Sequence, residues 1–251
     1  MKGMILAGGK GTRLHPLTKV VNKHLIPIGK YPMIYYPIVK LREADITDIL
    51  ITTNQQDLPL FWALLGDGKD LGVRIHFETQ QQAAGIPDAI LLSKMFVGSD
   101  KLAVILGDNI FQDSLIPYVE SYKNQSIGAK VLLKTVPDPS RYGIATFDES
   151  QKNLLSITEK PANPSSNYCV TGIYMYDTEV FDLIKQISPS SRAELEITDV
   201  NNLYLQNSKL TFDVLSNWWI DAGTYEAIFE ANQFTFNNDI LSLTEKGCDL
   251  E

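Results

Sequence analysis

Residues 2–30 read KGMILAGGKGTRLHPLTKVVNKHLIPIGK and contain the pattern from which the rest of the chain can be interpreted. The apolar run from Gly3 to Ala7 has the length of a buried strand, and glycines follow it at positions 8, 9 and 11. Because glycine lacks a Cβ atom, backbone N–H groups can turn inward and approach an anion closely. With Thr12 and Arg13 completing the segment, we expect a phosphate-binding loop at the end of the first strand.

The basic side chains are concentrated near the start of the chain, although the chain as a whole is acidic, with a formal net charge of -8. Residues 1–42 contain eight lysines and arginines and no acidic residue, whereas the rest contains 14 basic and 30 acidic side chains. Nucleic-acid binding normally needs a broad basic surface, so we expect no nucleic-acid partner. A locally positive segment on an acidic chain suits a small polyanion such as a nucleoside triphosphate.

The spacing of the glycines excludes two common phosphate-binding loops. The P-loop pattern G-x-x-x-x-G-K-[ST] fails because Lys10 is followed by another glycine. The dinucleotide pattern G-x-G-x-x-G matches at positions 9 and 11 but has Leu14 in place of its third glycine, which disfavours a nicotinamide dehydrogenase. For the glycines alone, the alternative is an ordinary tight turn with Arg13 and Lys23 as solvated charges.

The length and composition limit the class of protein. The 251 residues, 44% of them hydrophobic, can bury one large α/β core with a small appended lobe. Residues 4–7 are too short for a signal peptide, and no run approaches the roughly 18 apolar residues of a membrane helix. Cys169 and Cys248 form no C-x-x-C pair, so we expect reduced thiols in a cytoplasmic protein without a membrane partner. The three histidines lack metal-ligand spacing, which disfavours a zinc site or a serine–histidine triad.

Predicted strands and helices alternate along the first half of the chain. Strands are expected at residues 3–7, 47–53, 73–79, 101–106, 129–136, 142–147, 154–159, 168–176 and 210–215, and helices at 32–44, 58–65, 89–96, 178–187, 195–205 and 225–237. This order predicts an α/β fold with a doubly wound, mostly parallel mixed sheet. Such sheets bind ligands beyond the carboxyl ends of their strands, where the glycine loop, the 80–87 loop and Asp108 are expected to meet.

Two aspartates are candidate metal ligands because each follows an apolar segment. Asp108 follows the predicted strand 101–106, and Asp221 follows a tryptophan pair and an isoleucine. Mg²⁺ prefers oxygen ligands and commonly takes one or two carboxylates together with phosphate oxygens. The alternative is that Asp108 caps a helix and Asp221 begins a turn.

Four further polar residues are candidates for substrate contacts. Glu159 and Lys160 are neighbours at a strand end, where the carboxylate can accept two sugar hydroxyls and the ammonium can meet a phosphate. Arg192 could be a second phosphate clamp, and the Gln80 amide can pair with the imide edge of thymine or uracil. The alternatives are a surface ion pair, a helix-entry charge and a polar loop side chain.

Several motifs extend over nearly the whole chain and carry a resemblance to a known family. They are GGxGTRLxPLTK with Asn22 and Lys23, PMIYYP at 32–37, LGDG at 65–68, LGDN at 106–109, RYG at 141–143, EKP at 159–161, SNYxVTG at 166–172, ELEITD at 194–199 and WIDAGT at 219–224. In these motifs the chain resembles the sugar-1-phosphate nucleotidyltransferases, most closely the glucose-1-phosphate thymidylyltransferases of bacterial deoxysugar pathways. The resemblance implies a Rossmann-like nucleotidyltransferase fold with a small sugar-binding lobe. It implies one domain over residues 1–251, with 1–110 mainly nucleotide-binding and 111–251 mainly sugar-binding.

The resemblance also implies the reaction and a role for each matching residue. The reaction is Mg²⁺-assisted in-line transfer of deoxythymidylate from dTTP to glucose 1-phosphate, giving dTDP-glucose and pyrophosphate. The implied catalytic residues are Arg13, which would stabilise the transition state, with Lys23 and Lys160. The nucleotide would be held by Leu6, Gly8, Gly9, Gly11, Thr12, Arg13, Lys23, Gln80, Gly85 and Asp108, and Mg²⁺ by Asp108 and Asp221. The sugar phosphate would be held by Asn109, Gly143, Glu159, Lys160, Val170 and Arg192, and a homo-oligomer is usual for the family.

The sequence departs from the family pattern at three places. The base loop reads QQQAAGIPDA where QPSPDGLAQA is common, His24 replaces a common glutamine, and Ala193 replaces a glycine. A uridylyltransferase therefore stays open as an alternative, as does a sugar-nucleotide sensor without turnover. Longer members of the family continue beyond the closing helix with residues that help to form an effector site, whereas this sequence stops soon after that helix. We therefore expect no feedback control through such a site.

Overall fold

A computed structural model of the chain describes residues 1–81, 84–238 and 240–241. Its strands are β1 (Lys2–Leu6), β2 (Pro27–Ile28), β3 (Tyr31–Pro32), β4 (Asp48–Asn54), β5 (Arg74–Gln80), β6 (Leu102–Leu106), β7 (Asn109–Phe111), β8 (Ala129–Thr135), β9 (Gly143–Phe147), β10 (Leu154–Glu159), β11 (Tyr168–Tyr176), β12 (Leu210–Val214) and β13 (Trp219–Asp221). Its α-helices are α1 (Tyr35–Glu43), α2 (Leu58–Leu65), α3 (Ile86–Leu92), α4 (Lys94–Val97), α5 (Ile116–Asn124), α6 (Val180–Leu183), α7 (Ile197–Gln206) and α8 (Tyr225–Asn237). Within the described residues, no helix has the length and apolar character needed to cross a membrane.

The described residues form two compact units. The first unit takes its residues from 1–83, 103–117 and 217–251, and the second from 84–102 and 118–216. The predicted division of roles at residue 110 remains a prediction, and each unit is described below by itself.

The first unit is built on β6, β1, β4 and β5, which lie side by side in that order. β1 pairs in parallel with β4, and β4 with β5. The central apolar side chains of β1 and β4 are buried, as the continuous hydrophobic runs predict for strands covered on both faces, whereas Leu6 at the end of β1 is partly exposed. At the start of the two strands, Lys2 Nζ donates to Asp48 Oδ2 at 2.6 Å. This hydrogen bond from Lys2 lowers the pKa of Asp48.

The antiparallel pair β7 and β13 belongs to the same unit and brings two distant segments together. Trp219 lies opposite Phe111, and Asp221 lies opposite Asn109. Three residues separate β13 from helix α8, and the N-cap of α8 is Thr224, whose hydroxyl accepts a hydrogen bond from the backbone nitrogen of Ala227 at 3.2 Å.

The second unit contains a mixed sheet in which β8 has β11 on one side and β12 on the other. β11 is antiparallel to both β8 and β9, β9 is antiparallel to β10, and β12 is parallel to β8. Lys130 on β8 is buried and contacts the carboxylate of Asp213 on β12, and its ammonium also donates to Ser121 Oγ at 2.8 Å.

The predicted α/β class with a mixed sheet is confirmed, and most elements begin and end within two residues of their predicted limits. Two predicted helices are wrong in detail. The helix predicted at 89–96 begins earlier, at Ile86, because Pro87 is tolerated in a first turn, and a break at Ser93 divides it from α4. The helix predicted at 178–187 is short, because α6 passes into a 3₁₀ turn and Ile187 is extended.

Five elements were not predicted at all, namely α5 and the strands β2, β3, β7 and β13. Two residues of the predicted base loop, Gln82 and Ala83, lie outside the described residues, as does Cys248. Cys169, which is described, is a buried free thiol, as expected.

Candidate active site

The glycine loop follows β1 in the first unit, as predicted. Gly11 has a φ of 60°, a left-handed conformation that favours glycine, and its carbonyl accepts a hydrogen bond from Thr18 Oγ1 at 2.7 Å. A Cβ atom at Gly8 would lie 2.6 Å from Oε1 of Gln80, which is buried at the end of β5. The structure therefore brings the loop and the predicted base-binding glutamine together, and a side chain at position 8 would require the Gln80 amide to move.

Lys23 and Asp108 form an ion pair in the interior of the first unit. The ammonium of Lys23 contacts Oδ2 of Asp108, and the Lys23 side chain is 13% exposed. Burial alone would raise the pKa of Asp108, but the charge of Lys23 and hydrogen bonds from Lys23 and Asn109 hold this pKa well below its usual range. Asp108 is therefore a carboxylate at neutral pH, which is the form that a metal ion requires.

Asn22 fixes the position of Lys23 relative to the loop. Its amide nitrogen donates to the backbone oxygen of Ala7 at 3.1 Å and to Asp57 Oδ2 at 2.7 Å. Its amide oxygen accepts from the backbone nitrogen of His24 at 3.0 Å and lies 2.8 Å from the His24 ring nitrogen Nδ1. Asn22 therefore ties the end of β1 to the turn that carries Lys23.

His24 is a neutral side chain in this environment. Its burial, followed by the nearby charge of Lys23, lowers the pKa of His24 to about 3. A Cβ atom at Gly107 would lie 2.7 Å from the His24 ring, so the imidazole packs directly against the backbone that precedes Asp108. His24, which departs from the family pattern, thus packs against the backbone next to the candidate metal ligand Asp108.

Asp221 lies next to Asp108 through the pairing of β7 with β13. The carbonyl oxygen of Asp108 accepts a hydrogen bond from the backbone nitrogen of Ala222 at 2.8 Å. An Arg13 guanidinium nitrogen lies 3.8 Å from Oδ2 of Asp221. The structure thus brings both predicted metal ligands and both predicted catalytic cations of this unit together. Asp108 lies in the turn between β6 and β7 and does not cap a helix, and Asp221 is the last residue of β13.

Three other predicted residues of the first unit have defined positions. The carbonyl oxygen of Leu6 accepts from the backbone nitrogen of Gly107 at 3.0 Å, and Thr12 is exposed at the start of the turn after the loop. The Asn109 amide is buried, where it accepts from Trp219 Nε1 at 2.9 Å and donates to Asp108 Oδ1 at 3.2 Å. These bonds orient the loop after β6, and the sugar contact of Asn109 remains a prediction.

In the second unit, Glu159 ends β10 opposite Gly143 on β9. Its Oε2 accepts a hydrogen bond from Thr198 Oγ1 at 2.7 Å, and its Oε1 lies 3.0 Å from the ammonium of Lys160. A Cβ atom at Gly143 would lie 3.2 Å from the Thr198 hydroxyl and 3.4 Å from the Glu159 carboxylate. The small residue at position 143 therefore leaves the carboxylate accessible.

Arg192 joins the same cluster from the loop before α7. Its Nη2 lies 3.4 Å from Glu159 Oε1 and 2.7 Å from Glu196 Oε2. The cluster therefore contains Glu159, Lys160 and Arg192, as the sequence predicts, and it adds Thr198 and Glu196, which sequence reasoning missed. Thr198 and Glu196 belong to the ELEITD motif, but their roles depend on contacts that no local pattern encodes.

The last two predicted residues lie elsewhere in the second unit. Val170 is a buried residue of β11 and does not join the ionic cluster as far as the described residues show. Gly85 has a φ of 108°, and a Cβ atom there would lie 2.1 Å from the carbonyl oxygen of Leu195. Gly85 thereby allows the loop before α3 to pair with the loop that carries Arg192, through a hydrogen bond of 2.9 Å from the Leu195 nitrogen to the Ala84 oxygen.

A glycine loop after the first parallel strand, with a buried lysine and two adjoining aspartates, is typical of α/β proteins that bind nucleotides with a divalent cation. The chain belongs to the nucleotidyl transferase family, whose model matches residues 2–238. Over 237 residues it is 43% identical to the glucose-1-phosphate thymidylyltransferase of Neisseria gonorrhoeae, a match that covers 93% of this chain and 82% of the relative. The protein of that name from Mycolicibacterium smegmatis is 42% identical with the same coverage.

Solved structures show the same relationship. A Bacillus anthracis protein, provisionally named a glucose-1-phosphate thymidylyltransferase and crystallised with sucrose, matches with a TM-score of 0.91 and 50% identity, covering 95% of this chain and 96% of that one. A UDP-glucose pyrophosphorylase complexed with UDP-glucose matches with a TM-score of 0.83 at 23% identity, covering 94% and 98%, and shares the fold alone. The resemblance found in the sequence motifs is confirmed.

Proposed function

We propose that the chain is a glucose-1-phosphate thymidylyltransferase, which transfers deoxythymidylate from dTTP to glucose 1-phosphate and releases pyrophosphate. The observation that carries the proposal is the arrangement of the first unit, where Lys23 contacts Asp108 and Arg13 approaches Asp221 beside the glycine loop. The curated relatives that bear this name, at 40% to 44% identity, support the same assignment.

In the proposed reaction, a phosphate oxygen of glucose 1-phosphate attacks the α-phosphorus of dTTP. A new P–O bond forms there as the bond to the bridging oxygen of the β-phosphate breaks, and pyrophosphate leaves. No general base is needed, because a phosphate monoester with a second pKa of about 6 is mostly dianionic at pH 7. The main obstacle is the repulsion between two anions, which Arg13, Lys23 and Lys160 would reduce by charge stabilisation.

The divalent cation is assigned to Asp108 and Asp221. The family is generally metal-dependent, and Mg²⁺ is the ion that a pair of carboxylates and phosphate oxygens suits best. The residues fit, because Asp108 directly precedes β7, Asp221 on β13 is paired with Asn109, and the low pKa of Asp108 keeps it ionised. When bound, Mg²⁺ supplies charge neutralisation at the phosphates.

The remaining roles follow the arrangement of each unit. Gln80 and Gly85 would contact the base, and the loop residues Leu6, Gly8, Gly9, Gly11 and Thr12 would hold the triphosphate. Glucose would be held by Asn109, Gly143, Glu159 and Val170, and its phosphate by Lys160 and Arg192. We propose the cytoplasm as the compartment, because nucleoside triphosphates are cytoplasmic metabolites, and a homo-oligomer as the assembly, because that state is usual for the family.

The test is pyrophosphate release by the purified protein with Mg²⁺ and glucose 1-phosphate, comparing dTTP, UTP, CTP, GTP and ATP. We expect the highest kcat/KM with dTTP. Preference for UTP would make the chain a uridylyltransferase, and no release with any nucleotide would favour another sugar phosphate or a sensor.

Two lysine variants connect this activity to the site. Lys23→Met should abolish release, whereas Lys19→Met changes an exposed lysine of the same segment and should leave it intact. Equal activity of the two variants would refute the role of Lys23, provided that urea unfolding shows both to be folded.

A further inference from the structure

Arg192 is held by an acidic residue that no assigned role includes. Its Nε donates to Oε1 of Glu196 at 3.2 Å, and its Nη2 donates to Oε2 of the same carboxylate at 2.7 Å. This is a two-point contact along one edge of the planar guanidinium, which has five N–H donors in a fixed arrangement. The contact uses the Nε edge, so the two N–H groups of Nη1 point away from Glu196.

Glu196 is itself fixed by its surroundings. Its side chain is 13% exposed, compared with 44% for Arg192, and Oε1 accepts a hydrogen bond from Ser190 Oγ at 2.6 Å. The Ser190 hydroxyl also accepts from the backbone nitrogen of Arg192 at 3.2 Å. Ser190 therefore orients both the carboxylate and the backbone of the arginine that the carboxylate holds.

Glu196 is ionised at neutral pH. Burial opposes its ionisation, but the hydrogen bonds from Ser190 and Arg192 lower the pKa of Glu196 below its ordinary value. The hydrogen bonding between Arg192 and Glu196 raises the pKa of Arg192. The contact is therefore a charged one throughout the pH range in which an enzyme of this class would work.

We propose that Glu196 is a positioning residue for the sugar phosphate, because it fixes the guanidinium of Arg192 with its Nη1 edge available to the phosphate. The inference rests on the proposed function, in which Arg192 holds the phosphate of glucose 1-phosphate. An exposed arginine side chain without this contact would sample many rotamers, and binding would have to restrict them. With the contact, this loss of freedom has already occurred in the folded protein.

Glu196 also has an opposing effect, because its negative charge repels a phosphate. Glu194 provides the matched control for this effect, since its charge also acts on Arg192 but it makes none of the side-chain hydrogen bonds of Glu196 in the described structure. Glu196→Gln and Glu194→Gln remove the same charge at neighbouring positions of one motif. The difference between the two variants therefore isolates positioning from charge.

The experiment measures the binding of glucose 1-phosphate by isothermal titration calorimetry, and KM and kcat for both substrates. We expect Glu196→Gln to raise Kd and KM for glucose 1-phosphate about 10-fold, which corresponds to immobilising one long side chain. KM for dTTP should stay within about 2-fold, whereas a general structural defect would change both KM values. Glu194→Gln should leave both substrates within about 2-fold or tighten the sugar phosphate slightly.

Each outcome decides the matter. Equal or tighter binding of glucose 1-phosphate by Glu196→Gln than by Glu194→Gln would overturn the positioning role. If wild-type protein itself fails to bind glucose 1-phosphate, the proposed function fails instead, and the two failures are thereby distinguished. If Glu196→Gln does not fold, Ser190→Ala is the alternative variant, because it removes the hydroxyl that orients Glu196. It should raise KM for glucose 1-phosphate about 3-fold and leave KM for dTTP unchanged. An unchanged KM for glucose 1-phosphate in a folded Ser190→Ala protein would refute the proposal.

Discussion

Asp108→Asn is the substitution that most directly tests the candidate metal site. The carboxylate of Asp108 contacts Lys23 and accepts a hydrogen bond from the Asn109 amide. An asparagine keeps the size and shape of the side chain and removes the charge. We therefore expect loss of Mg²⁺-dependent turnover in a protein that stays folded.

The size of both effects can be worked out from the structure. A bound metal contributes several kcal/mol of transition-state stabilisation, so losing about 4 kcal/mol would lower kcat about 1000-fold. Breaking a fully buried ion pair costs about 3–5 kcal/mol. The Lys23 side chain keeps 13% exposure and can recover some hydration, so we expect a cost of about 2–3 kcal/mol here. That is less than the usual stability of about 5–15 kcal/mol, so the variant should fold.

The assay follows pyrophosphate release over a Mg²⁺ titration, with the free energy of unfolding measured in urea. Asp113→Asn is the matched control, because Asp113 is also a buried carboxylate of the first unit but is not a candidate metal ligand. Its Oδ2 accepts a hydrogen bond of 2.8 Å from the backbone nitrogen of Asn217. We expect this control to keep wild-type turnover, and we expect a chelator to abolish turnover of the wild type. An Asp108→Asn protein as active as wild type would refute the metal assignment.

Three further predictions concern stability. Asp213→Ala should destabilise the protein by about 1–3 kcal/mol in urea, because it leaves the buried ammonium of Lys130 without its carboxylate, whereas Lys130→Met should cost less than about 1 kcal/mol. Equal costs for these two variants would contradict the reasoning. Gly85→Ala should lower the free energy of unfolding by at least about 2 kcal/mol and reduce activity, because the new Cβ atom would meet the Leu195 oxygen and the φ of residue 85 is strained for alanine. A variant with wild-type melting temperature and turnover would contradict this prediction. The pKa of Asp48 is lowered in the folded state, so its contribution is present above its unfolded pKa of about 4 and is lost as the pH falls. Asp48→Asn should therefore be less stable than wild type at pH 7, the difference in the free energy of unfolding should shrink as the pH falls below the unfolded pKa of about 4, and a difference independent of pH would exclude the linkage.

Elements with strong local signals could be predicted from the sequence. Helix Leu58–Leu65 and strands Leu154–Glu159 and Tyr168–Tyr176 have the limits predicted, because apolar runs end there at a turn residue or a proline-rich loop. β7 and β13 could not be predicted in this way, because each has three residues and shows no periodicity. Their pairing is a long-range contact, and it is what brings Asp221 beside Asp108.

The same distinction applies to the candidate site. The glycine loop and Glu159 were candidates because glycine spacing and charge at a strand end are local signals, and Lys23 was a candidate through its match to the family motif. The supporting residues Asn22 and Thr198 were missed, because the Asn22 amide reaches Ala7 and Asp57 and the Thr198 hydroxyl reaches Glu159 only in the folded chain. A sequence pattern can identify a charged group, but it does not identify the side chain that orients that group.

The cations assigned to phosphate have carboxylate partners in both units. Lys23 contacts Asp108 in the first unit, and in the second Lys160 contacts Glu159 while Arg192 contacts both Glu159 and Glu196. A phosphate that binds one of these cations must therefore either displace its carboxylate or share the cation with it. The binding free energy gained is then the difference between two ionic contacts rather than the whole of one. In the second unit, this exchange leaves Glu159 in need of new donors, and sugar hydroxyls can supply them. In the proposed function, a sugar phosphate would satisfy the cations and the carboxylate together, whereas a bare phosphate would satisfy the cations alone, so the paired acids would favour the substrate that carries both groups.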